Sequence, residues 1–136
     1  NTYEFTVPDA KDISVNVTFE FTAKTTEISK ALIHPDGTTS ASSCAAGTVE
    51  MVATQSGIAA TKYPKVGGRT AFKVTTKKGY KVSAFNVTYT DAAGKQIKLT
   101  NGNGLNRVGK YSTSSNTYEF DVPASNDVKV NVTYTR

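Results

Sequence analysis

The chain has 136 residues, 38% of them hydrophobic and 20% charged, and a formal net charge of +5. That length supplies one core, which buries roughly two-thirds of the unfolded surface and leaves no room for a second. The composition excludes a disordered tail, and apolar runs of only a few residues exclude a helix across a bilayer. Thr, Val, Tyr and Phe recur at alternate positions and Trp is absent, the composition of a β-protein. With no Met at its start and no leader-like stretch, the sequence reads as a processed or excised piece of something larger.

Residues 2–7 alternate with Tyr3, Phe5 and Val7 on one face, and residues 13–21 do so through Ile13, Val15, Val17, Phe19 and Phe21. "PDAKD" between them supplies the fixed φ of Pro8 and the turn-forming carboxylate of Asp9, so a hairpin is expected. Thr25 to Ile33 fits a short helix or a strand, ended by the turn at Pro35-Asp36-Gly37. Strands follow at 47–54 and 71–75, separated by the loop "QSGIAATKYPKVGGRT". "KKGY" then turns the chain into a strand over 80–90, and Asp91-Ala92-Ala93-Gly94 folds it back onto "KQIKL". "TNGNGLNRVGKYSTSS" reads as a long loop, and a last hairpin places Tyr118, Phe120 and Val122 before a turn and Val128, Val130, Val132 and Tyr134 after it. About nine strands, little helix and no linker predict an all-β, antiparallel β-sandwich.

The two ends repeat each other. At an offset of 115 residues, "NTYEFTVPDAKDISVNVTFE" and "NTYEFDVPASNDVKVNVTYT" agree at twelve of twenty positions, including the turn prolines Pro8 and Pro123 and the aspartates Asp12 and Asp127. Strand propensity does not explain a matched Pro or Asp, so this is a true repeat. Gly47-Thr48-Val49, Gly79-Tyr80, Asp91 with Gly94, and Val122-Pro123-Ala124 with Asp127 then resemble the tandem modules of large Gram-positive-type bacterial surface proteins, in the neighbourhood of the internalin B-repeat. The resemblance covers residues 47–135 and implies an immunoglobulin-like or β-grasp-like module in an extracellular stalk, spacer or adhesive array. It carries no catalytic residues. On this reading residues 21–136 are one module, and residues 1–20 are the closing hairpin of the module before it. That hairpin packs within its own chain, making a single domain of 1–136, or adds to a neighbouring copy as a donated strand, making a filament subunit. Its apolar residues Tyr3, Phe5, Val7, Val15, Val17 and Phe19 are the candidate assembly surface.

No acidic residue falls between Glu50 and Asp91, an interval that holds Lys62, Lys65, Arg69, Lys73, Lys77, Lys78 and Lys81. These cations are a candidate surface for an anionic glycan or wall polymer, and otherwise a solvated face that guards strand edges. Nucleic acid is not expected, because no recognition helix or stacking motif accompanies them. Tyr63 and Tyr111 sit beside Lys62 and Lys110 in loops, where they either stack a ligand or pack down on the sheet. His34 lies in a turn ten residues from Cys44, the only cysteine, whose small neighbours suit a buried, inert thiol. "NGNG" lacks the alternating aspartates a hard cation needs, so no metal and no cofactor are expected. Asn16 or Asn131 with Glu4 or Glu119 have the residue types of a lysine–asparagine isopeptide site, as many residues do. The sequons at Asn16, Asn86 and Asn131 fall within strands and read as strand composition. With no paired acid and base and no triad, a non-enzymatic module is expected.

Overall fold

A computed structural model describes residues 1–9, 11–17 and 24–136. Among these residues there is no helix, and ten strands follow in chain order. They are β1 (Ile28–Ile33), β2 (Thr39–Ser40), β3 (Ser43–Cys44), β4 (Gly47–Val52), β5 (Arg69–Thr76), β6 (Lys81–Thr90), β7 (Gln96–Asn101), β8 (Gly104–Val108), β9 (Ser115–Asp121) and β10 (Val128–Thr135). The all-β class expected from the sequence is therefore borne out. The strands run in one order, β2-β1-β10-β6-β7-β8-β9-β5-β4-β3, as a mixed sheet nearly closed into a barrel. This differs from the expected purely antiparallel sandwich, because β1 lies parallel to β10 and β7 parallel to β8.

Side-chain alternation builds the core. Val128, Val130, Val132 and Tyr134 of β10 point inward with polar residues between them, and Val49, Phe72, Val74, Val87, Leu105 and Phe120 meet them from five other strands. The stretch that fitted either a helix or a strand is a strand. Its buried residues, Ile28 and Leu32, are four apart, a spacing that satisfies both periods. Pairing decides between them: six residues of β1 run in register with β10 from Ile28↔Val128 to Ile33↔Thr133. Tyr134 fixes the opposite wall, donating its hydroxyl to the Thr75 carbonyl at 2.9 Å, and burial pushes its pKa up to about 12. Gly47 is what lets the ring approach, since a Cβ there would collide with the Thr75 carbonyl and come within 2.7 Å of the Tyr134 hydroxyl.

Three other expectations change. The stretch read as one long loop contains β8, whose Leu105 is fully buried; glycines and asparagines on either side conceal a strand of five residues. The last "hairpin" is an arch: β9 pairs with β5 and β8, β10 pairs with β1 and β6, and the two do not pair with each other. Val122 instead exchanges backbone hydrogen bonds with Gly67 and Gly68, which carries the chain across to the other half of the barrel. The first hairpin does not form among the described residues. Residues 1–9 and 11–17 hold no strand and are exposed, and residues 18–21 of that expectation lie outside the described residues. The arch supplies the reason: this sequence pattern serves two strands that each need a separate partner, so the pair gains nothing by folding on itself.

Candidate functional site

The expected assembly surface is exposed, and its twin is the centre of the core. Tyr3 is 82% exposed where Tyr118 is 4%, Phe5 is 62% where Phe120 is 0%, and Val15 is 74% where Val130 is 0%. Val7 and Val17 are exposed likewise, while Phe19 lies outside the described residues. With Ile13 also exposed, six large apolar side chains on one short segment exceed the scattered exposure normal for a monomer surface.

A second feature complements it. β6 is ten residues long, and β10 pairs with it from Lys81 to Thr88, but β7 covers only Val87 to Thr90 on the other side. Among the described residues the far edge of Lys81–Asn86 therefore has no strand partner. It borders a groove of about 420 Å³ whose floor is Val74, Val82, Phe85 and Tyr118 and whose walls include Tyr80 and Tyr111. The floor is packed: the ring centroids of Phe85 and Tyr118 lie 4.4 Å apart, and Tyr118 in turn packs on Phe72 at 5.6 Å. The rim is cationic. Lys81 lines the groove and Lys98 lines its continuation along β6. Arg136 stacks 5.0 Å above Tyr80, and Arg107 stacks 5.7 Å from the ring centre of Tyr111.

The seven basic candidates do not act as one surface. Lys62 pairs with Glu27 at 3.1 Å, Lys73 with Glu50 at 3.7 Å, and Arg69 with Asp121 at 3.4 Å and Glu119 at 3.7 Å. Their carboxylates come from outside the acid-free interval, which is why the sequence conceals them. Glu27 also holds the Lys62 pKa above its usual value through a side-chain hydrogen bond. Lys65 sits where the chain approaches β5, and Lys77, Lys78 and Lys81 follow its far end, about 25 Å away along an eight-residue strand. Among the described residues, Lys65, Lys77, Lys78 and Lys81 have no carboxylate partner, and of these Lys81 lines the groove.

The remaining candidates separate. His34 packs edge-on to Tyr80 at 6.3 Å and lies 3.7 Å from Asp36, with no hydrogen bond to Cys44 among the described residues. Cys44 is half-buried on the core. Glu119 is buried and accepts the Gln55 N–H at 2.6 Å, while the Asn131 side chain donates to Asn86 at 2.9 Å and to Thr88 at 3.1 Å, so neither engages a lysine side chain as an isopeptide site requires. The same cross-strand bond accounts for two of the three sequons. Among the described residues no group of three His, Cys, Asp or Glu could hold a metal ion, and no helix is long and apolar enough to cross a membrane. Sequence reasoning missed the groove itself. Its signal was the excess length of the 80–90 strand over "KQIKL", which leaves part of one edge without a partner. Comparison with protein-family models, with curated proteins and with solved structures finds no match.

Proposed function

We propose that the chain is a non-enzymatic, extracellular structural or adhesive module of a bacterial surface protein or filament, joined to its neighbours by strands from residues 1–20. One observation carries this reading: the segment with the sequence of core strands is exposed, while its copy 115 residues later fills the core. Each of its large side chains forgoes about 1.5–3 kcal/mol by staying in water. Selection against such exposure is relieved if the segment is buried in an assembled state. The barrel's two halves, β2-β1-β10-β6-β7 and β8-β9-β5-β4-β3, suit the sandwich-like module that the repeat resemblance implies. The test is the mass in solution by light scattering, as a function of concentration and after unheated SDS. Concentration-dependent oligomers support the reading, and a monomer throughout the range sinks it.

A second reading is favoured by Lys77, Lys78 and Lys81, which lie within five residues of one another and have no carboxylate partner among the described residues. It makes the module a binder of anionic glycan or wall polymer. Retention on heparin that falls with salt, and is abolished in a Lys77→Ala/Lys78→Ala variant, would support it; no retention at low salt would end it.

A further inference from the structure

We propose that the groove beside the free edge of β6 receives residues 2–7 of a second copy of the chain as an added strand. The inference rests on the reading of residues 1–20 as the assembling element and names what that element binds.

Three observations converge on this occupant. The lengths match: Lys81–Asn86 and Thr2–Val7 are both six residues, each about 20 Å when extended. The side chains match as well. An added strand alternates its residues, so Tyr3, Phe5 and Val7 would face the apolar floor of Val82, Phe85 and Tyr118, while Glu4 would face out toward the rim. The charges are opposite. Residues 1–20 hold four carboxylates and one lysine, whereas residues 21–136 hold fifteen Lys and Arg against seven Asp and Glu. Lys81, Lys98, Arg107 and Arg136 bring that excess to the rim, the last two held there by stacking on Tyr111 and Tyr80.

Within one chain the described part of the segment is exposed along its length, and the groove is open. A second copy brings the two together as concentration rises. The contact is heterologous, because donor and acceptor are different surfaces, so each bound copy still offers both. Such a contact propagates head to tail.

The test uses the full chain, labelled with ¹⁵N, with amide spectra recorded from dilute to concentrated solution alongside light scattering. Shifts that grow with concentration are expected at residues 2–7, 80–86 and 111–113. A Lys81→Glu/Lys98→Glu variant, both positions exposed, is expected to associate roughly tenfold more weakly. Adding Glu4→Lys to that variant is expected to restore association, an effect that a mere loss of folding would not reverse. Association with shifts along β1 and β10 and none at residues 80–86 would mean exchange of the closing strands; the assembly reading then stands and the groove is overturned. Association that ignores the charge reversal also overturns it. A monomer at every concentration removes both.

Discussion

Residues 1–17 and residues 116–132 are close to the same peptide, yet the second contributes inner strands of a barrel and the first, among its described residues, contributes none. Composition does not separate them: Tyr, Phe and Val alternate identically in both. What separates them is the supply of edges. β9 finds β5 and β8, and β10 finds β1 and β6, and those places are then full. A strand-forming sequence therefore does not bury itself; it is buried by whatever unpaired backbone remains.

The largest expected effect sets Phe120 against its twin Phe5. Phe120→Ala should cost about 3–5 kcal/mol in chemical denaturation, as for a fully buried aromatic, while Phe5→Ala should stay within about 0.5 kcal/mol and act on association alone. Equal losses from both would break the comparison, since they would mean that residues 1–17 are part of the core. Next come the glutamates. Glu119→Ala leaves the Gln55 N–H without its acceptor and Arg69 with Asp121 alone, and should cost about 1–3 kcal/mol, whereas Glu4→Ala should leave the unfolding midpoint in place.

Deleting residues 1–17 should move the melting temperature by no more than about 3 °C while removing concentration-dependent oligomers. The smallest effect concerns Asp127. Hydrogen bonds from Ser125 and Thr90 hold its pKa down to about 2. A depressed carboxylate stabilises the fold above its unfolded pKa of about 3.9, and that contribution fades as pH falls toward about 2. Asp127→Asn should therefore be less stable than the parent at neutral pH, with the gap closing between about pH 4 and pH 2. A gap that stays constant would show that the Asp127 carboxylate contributes nothing through its ionisation.

Much of the fold was legible because alternation and turn chemistry are local. The turns at Pro35-Asp36-Gly37 and Asp91–Gly94 stand where glycine, proline and aspartate placed them, with Asp91 accepting the N–H groups of Ala93 and Lys95. Strand partners are not local. The sequence makes Val122-Pro123 look like a hairpin turn, and only the distant Gly67-Gly68 turns it into an arch. The candidate site divides in the same way. The apolar face of residues 1–17 could be read directly. The groove could not, because its floor comes from β5, β6 and β9 and its existence depends on where β7 stops. The basic interval was misleading for a related reason: it counted lysines along the chain while their carboxylates approached from neighbouring strands.

The parallel pairing of β1 with β10 has a mechanical consequence. These are the first and last strands of the barrel, lying side by side over six matched residues and running in the same direction. Tension applied ahead of Ile28 and beyond Thr135 pulls them in opposite senses along their common axis. The ladder is then loaded in shear, so its hydrogen bonds must yield together instead of peeling one after another. Rupture under such a load is governed by the unfolding rate, so the barrel can resist a brief tug far better than its equilibrium stability alone would suggest.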